Sequence, residues 1–146
     1  MVPVNRERAF NESDLDPDPH RQFLVWLREA EDAGEPMPRA MALATTSTEG
    51  APWVRMMVLE HVDERGFVFQ TNLDSPKAQH MATNRQVGLV FFWPLQMRQV
   101  RVTGEIEALP RDKPCLFETG AGSTVGGCSP LWRTAPDHGI RGTHGG

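Results

Sequence analysis

The chain contains no tyrosine and only two cysteines, Cys115 and Cys128, among its 146 residues. Two thiols with no second pair, and with no histidines at finger-like spacing, imply no disulfide framework and argue against a structural zinc. The expected metal is therefore none. No apolar run approaches the length that crosses a bilayer, and the opening residues 1–6 lack a following apolar h-region. A cytoplasmic protein with no membrane partner is expected. A basic stripe is also missing. Residues 1–38 carry nine acids against four bases, residues 39–110 seven of each, and residues 111–146 three acids against four bases. Nucleic-acid binding has no support in that distribution. Paired carboxylates, a nucleophilic triad and a metal cluster are likewise not recognisable, so the catalytic residues are unknown at this level.

What is present suits one globular domain: 39% hydrophobic and 8% aromatic residues in a chain long enough for a single core. Residues 1–17 hold few large apolar side chains and read as a mobile acidic leader. Asp18-Pro19 then opens a helix with Phe23, Trp26, Leu27 and Ala30 at helical spacing and Gly34 as its stop. From Ala40 the pattern becomes short strands: 41–46, 53–59 and 67–71, with turns at Thr48-Glu49-Gly50 and around Gly66. A helix over 76–83 and strands over 87–93 and 99–108 complete an antiparallel barrel domain spanning 18–119. Eight of the thirteen glycines lie in residues 120–146. That segment reads as an irregular tail, with a short helix before Gly120.

The densest signal is the junction Asn72-Leu73-Asp74-Ser75-Pro76-Lys77, between the apolar Phe67-Val68-Phe69 and the helix-prone Ala78-Gln79-His80-Met81-Ala82. Ser75 is a good N-cap and Pro76 a good first helical residue. Lys77 then falls in the first turn, where unpaired backbone N–H groups already favour an anion. A solvated lysine on an ordinary cap is the bland alternative.

Several blocks in order and spacing resemble the pyridoxine (pyridoxamine) 5′-phosphate oxidase family: Asp18-Pro19 with the Trp26-Leu27 helix, Ala40-Met41-Ala42-Leu43-Ala44-Thr45, Arg55-Met56-Met57-Val58-Leu59, Glu64 through Asn72, Phe91-Phe92-Trp93-Pro94 and Arg98-Gln99-Val100-Arg101. The likeness covers residues 16–110. It implies an FMN-binding split β-barrel that dimerises, with flavin in clefts between subunits. Its cofactor contacts fall on Arg55, Met56, Met57, Val58, Gln70, Thr71, Lys77 and Gln99. An Arg fork and a Lys point charge suit the FMN phosphate, and Thr and Gln supply neutral hydrogen bonds. For Arg55 the competing reading is a surface cation on an edge strand, and for Gln99 a solvated strand face.

The sequence departs from the family at informative places. Gln70 replaces an aromatic residue, and Pro76 replaces a second base beside Lys77. On the substrate side Glu60 stands where a basic residue holds the substrate phosphate. Leu116-Phe117-Glu118-Thr119-Gly120-Ala121 has lost the Tyr and Arg of the family's gripping block. Ser123, within Gly122-Ser123-Thr124-Val125-Gly126, is either a surviving phosphate contact or part of a glycine-rich loop. The family's C-terminal Gln-Ser pair, flavin-side Trp and Arg-x-His motif are not visible, which suggests a shortened paralogue or a lost reading frame.

The resemblance implies oxidation of a small-molecule substrate, pyridoxine or pyridoxamine 5′-phosphate, by FMN with O2 as the final acceptor. Two alternatives remain open: a flavin redox enzyme for a non-phosphorylated substrate, which Glu60 favours, and a non-catalytic flavin-binding chain. A homodimer is expected independently, because strands 87–93 and 99–108 are rich in Val, Phe and Trp and the run Val90-Phe91-Phe92-Trp93 is apolar on both faces, only one of which a small barrel can bury within itself. Asp74, Glu60 and His61 are polar groups near the expected site, each readable as a solvated strand-end residue.

Overall fold

The computed structural model describes residues 11–63, 65–71 and 75–108 in full and 131–144 as backbone. Its first regular helix, α1 (Pro19–Asp32), begins as the residue pattern dictates: the Asp18 carboxylate accepts from the His20 N–H and Pro19 occupies the first turn. Its inward stripe is Phe23, Trp26, Leu27 and Ala30. Phe23 meets Phe67 edge-on and lies tilted against Phe91, both at 4.8 Å between ring centroids, which docks α1 on two strands of the barrel. Burial of an aromatic of that size stabilises by about 1.5–3 kcal/mol.

Part of the expected leader is tied down. Glu12–Asp14 forms a single 3-10 turn capped by Asn11, and the Asp16 N–H donates to Gln22 Oε1 at 2.8 Å. Leu15 packs against the core, so the boundary between leader and domain lies before Pro17. One apolar residue and three local caps were enough to order what composition alone leaves open.

The strands are β1 (Ala40–Thr46), β2 (Pro52–Asp63), β3 (Gly66–Gln70), β4 (Gln86–Trp93), β5 (Arg98–Ala108) and β6 (Leu131–His144), with α2 (Pro76–Thr83) between β3 and β4. They pair antiparallel throughout and close in the order β1-β2-β3-β6-β5-β4. Alternation sends Met41, Leu43, Leu59, Phe67, Phe69, Leu89, Phe91, Trp93, Val100, Val102 and Ile106 into the barrel. The β1–β2 link turns at Gly50, whose φ of +86° a β-carbon would resist, and the Gly50 N–H closes it on the Ser47 carbonyl.

β6 corrects the irregular-tail expectation for residues 120–146. Leu131–His144 supplies the strand between β3 and β5 that closes the ring. Its glycines and proline hide any two-residue alternation, yet a partner on each side makes backbone pairing sufficient. The expected short helix before Gly120 and both cysteines lie outside the described residues. β2 also runs past its expected end at Leu59, because a bulge between Leu59 and His61 lets it keep pairing with β3.

The connector after α1 is latched to the β4–β5 turn by buried polar groups. Glu35, 7% exposed, accepts from the Leu95 N–H at 2.6 Å, and the Trp93 indole N–H donates to the Pro38 carbonyl at 2.8 Å. Arg98 bonds Glu29 at 2.8 Å while its guanidinium lies 4.9 Å from the Trp26 ring.

Candidate functional site

β2 carries the candidate residues on both of its faces. Arg55 and Met57 are half-buried on the side facing the barrel wall, whereas Val54, Met56, Val58 and Glu60 alternate with them on the outside. The Arg55 Nη1 donates to the Thr45 hydroxyl at 2.7 Å and to the Leu43 carbonyl at 3.3 Å. Both acceptors are neutral. Partly buried and with no carboxylate bonded to it among the described residues, the guanidinium is pushed below its ordinary pKa by burial.

Lys77 approaches the same place from the first turn of α2. Ser75 caps that helix by accepting from the Ala78 N–H, and Pro76 opens it. The Lys77 amine is held below its ordinary pKa by burial and, second, by the charge of Arg55. The two cations, neither ion-paired among the described residues, form a cationic corner. Nearby in the chain, between β3 and α2, Thr71 is 4% exposed and its hydroxyl has no hydrogen-bond partner among the described residues.

Two residues that sequence reading passed over complete the corner. Thr45 and His80 are both buried, and the Thr45 hydroxyl lies 3.2 Å from the His80 Nδ1. The Trp53 ring stands edge-on to the imidazole at 5.3 Å. These residues are 35 positions apart, and only the packing of α2 against β1 joins them. The available hint was His80 three residues after Lys77 on one helix.

Two of the other expected contacts lie on the opposite face of β2 from Arg55. Met56 and Val58 are 66% and 54% exposed on the outer face of β2. Gln99 is half-buried on β5 beside Phe92 of β4, and Gln70 half-buried on β3 opposite Leu131. Glu60 is exposed and lies within β2, not at a strand end, while its carbonyl accepts from Arg39 Nη1. His61 is exposed and 3.9 Å from Asp63. Ser123 and Asp74 fall outside the described residues.

The outer face bearing Met56 is apolar across three strands. Val58, Met56 and Val54 pair with Ala40, Ala42 and Ala44, and the last two pair in turn with Val90 and Gly88. Phe92, two residues beyond Val90, is 55% exposed on the same side. Small residues on β1 thus form a floor between two larger apolar ridges. On β5 the outward residues are polar: Gln99, Arg101, Thr103 and Glu105. Among the described residues no helix is long and apolar enough to cross a membrane.

The profile of the family described as pyridoxamine 5′-phosphate oxidase matches residues 27–124. A pyridoxine/pyridoxamine 5′-phosphate oxidase of Synechocystis sp. is 43% identical over 129 residues, covering 86% of this chain and 60% of that protein. The Cupriavidus taiwanensis protein of the same name is 40% identical over 136 residues, covering 92% and 62%. The chain therefore spans about three-fifths of the length of these curated relatives. Among solved structures, PhzG from Burkholderia lata 383, in complex with tetrahydrophenazine-1-carboxylic acid, aligns with a TM-score of 0.76 at 19% identity over 89% of this chain and 82% of its own. A pyridoxamine 5′-phosphate oxidase-related, FMN-binding protein of Nostoc punctiforme aligns with a TM-score of 0.57 at 20% identity, over 68% and 52%. At those identities the two structures establish the split-barrel fold.

Proposed function

The chain belongs to the pyridoxamine 5′-phosphate oxidase family, and from that premise we propose that it is an FMN-dependent oxidoreductase resembling the vitamin B6 phosphate oxidases. The observation that carries the reading is the approach of Arg55 on β2 to Lys77 at the start of α2, neither ion-paired among the described residues. Two nearby cations repel, and a phosphate monoester between them would offset that cost. The residues fit FMN in a second respect: the hydroxyl of buried Thr71, without a partner among the described residues, is a donor and acceptor that a ligand could use.

Arg55 and Lys77 would hold the cofactor phosphate, and Thr71 would hydrogen-bond the same ligand. When bound, FMN supplies a two-electron acceptor that dioxygen regenerates with release of hydrogen peroxide. The chain's own residues contribute binding, orientation and exclusion of water.

The apolar outer face of β4, β1 and β2 supports a homodimer, because a second copy is the occupant that would cover Val54, Met56, Val58 and Phe92. That arrangement gives Met56, Val58 and Gln99 a route to a flavin lying between subunits. Protein purified from the cytoplasm is expected to be yellow and to release FMN on denaturation. Colourless protein that fails to take up added FMN would overturn the reading. Turnover of pyridoxamine 5′-phosphate with equimolar peroxide tests the substrate. A second reading, oxidation of a non-phosphorylated substrate, is favoured by exposed Glu60, which would repel a phosphate. Peroxide formation from an unphosphorylated amine or alcohol alone would select it.

A further inference from the structure

We propose that Thr45 and His80 are positioning residues that aim the Arg55 guanidinium at the anion, so that discrimination for a phosphate-bearing ligand depends on a buried hydroxyl and imidazole that never touch it. The proposal rests on the reading of Arg55 and Lys77 as the phosphate seat.

Arginine offers five donors in a rigid fork. Here Nη1 is committed to Thr45 Oγ1 at 2.7 Å and Leu43 O at 3.3 Å, and no acceptor among the described residues engages Nε or Nη2. Anchored along one edge, the guanidinium keeps its other donors for a ligand. The anchor itself is oriented. One lone pair of Thr45 Oγ1 receives the arginine N–H, and the hydroxyl proton has the His80 Nδ1 at 3.2 Å as its acceptor. That assignment places the imidazole proton on Nε2. Trp53 fixes the ring from the side, and it sits opposite Thr45 across the β1–β2 ladder.

Helix α2 links the parts. Lys77 and His80 are three residues apart on it, so the helix that brings the second cation also brings the acceptor that orients the first. A valine at position 45 would fill the same space. The buried hydroxyl therefore has value only through its hydrogen bonds, and of the two described one comes from Arg55 and the other joins it to His80.

The test compares FMN with riboflavin, which lacks only the phosphate, titrated into the full chain and its variants by flavin fluorescence. Thr45→Val and His80→Leu are expected to weaken FMN binding about tenfold, the loss of a hydrogen bond to a charged group, with riboflavin shifting less than about twofold. Thr45→Ser restores the hydroxyl, and His80→Asn restores an acceptor at the Nδ1 position. Both are expected to recover most of the FMN preference, which a merely structural role would not produce. Equal losses for FMN and riboflavin, or valine and serine behaving alike at position 45, would overturn the proposal. Wild-type protein with no preference for FMN over riboflavin would overturn the phosphate seat as well. A large wild-type preference that survives Thr45→Val would overturn the positioning role alone. Should the variants fail to fold, 15N shifts of His80 in the wild-type protein decide: a protonated Nδ1 contradicts the relay.

Discussion

Strand β2 presents two different surfaces through alternate residues, and the contrast between them shows how the barrel divides its labour. Arg55 turns toward Thr45, α2 and Lys77, into a corner rich in charge and hydrogen bonds. Val54, Met56 and Val58, its neighbours in sequence, face outward onto an apolar sheet with no charge among their cross-strand partners. On the proposed reading the corner takes the cofactor phosphate and the outer face takes a second copy of the chain, so that one strand would serve both cofactor and assembly.

The largest effect should follow from placing a charge on the outer face. Met56→Asp puts a carboxylate where a second copy would seal it from water, and an uncompensated buried charge costs about 3–5 kcal/mol. The expected outcome is a monomer at micromolar concentration by sedimentation velocity, with FMN affinity falling in parallel. Thr103→Asp, on the polar exterior of β5, should leave the assembly unchanged. A wild-type protein that sediments as a monomer would remove this half of the comparison.

Next in size is the charged corner. Arg55→Ala and Lys77→Ala should each weaken FMN binding by about 1–3 kcal/mol while riboflavin affinity stays nearly constant. Equal losses for both ligands would assign these residues to the fold. The dimer should survive both substitutions, because neither side chain lies on the outer face. Loss of the dimer in Arg55→Ala would show that the two surfaces are coupled.

How far these surfaces could be read in advance differs for a physical reason. The α2 start was legible because Ser75 and Pro76 are local instructions, and the helix found, Pro76–Thr83, has the expected bounds. Strands β1 to β5 were legible from short-range alternation. The Thr45–His80 contact was not, since it joins residues brought together only by folding α2 onto β1. The polar exterior of β5 was masked by Val100, Val102 and Ile106, which point inward. β6 was hidden because its glycine-rich sequence gains its order from two neighbouring strands. Local chemistry announced the cations, and tertiary structure chose their partners.

A third test uses pH to separate ligand affinity from stability. The Lys77 amine titrates below its ordinary value through burial and the adjacent Arg55. Rising through that depressed value, pH removes the charge that holds a phosphate. FMN affinity should then fall by up to about tenfold per pH unit, with riboflavin unaffected. Stability of the unliganded chain should move the opposite way. With the native pKa below the unfolded one, the unfolded chain binds more protons between them, so rising pH favours the fold across that window. Lys77→Met should abolish both trends, as read by flavin titration and by thermal melts from neutral to alkaline pH.

The smallest expected effect belongs to Glu60, which has the parity of the outer face and not of the charged corner. Its carboxylate is exposed, so water and salt screen it strongly. If a phosphorylated vitamin binds within reach, the repulsion per unit charge at 4 Å is about 1 kcal/mol in a water-like medium, against about 4 kcal/mol in a partly buried site. Glu60→Lys should accordingly improve affinity for pyridoxamine 5′-phosphate by no more than about tenfold, while FMN affinity remains unchanged. A gain confined to the phosphorylated substrate would place Glu60 at the substrate mouth and leave Arg55 and Lys77 with the cofactor. If the substitution changes neither substrate affinity nor turnover in FMN-loaded protein, Glu60 does not face a substrate phosphate, and oxidation of a non-phosphorylated substrate becomes the better account. An accompanying rise in FMN affinity would mean that the new cation reaches the cofactor phosphate, and that the two surfaces of β2 are less separate than their alternation implies.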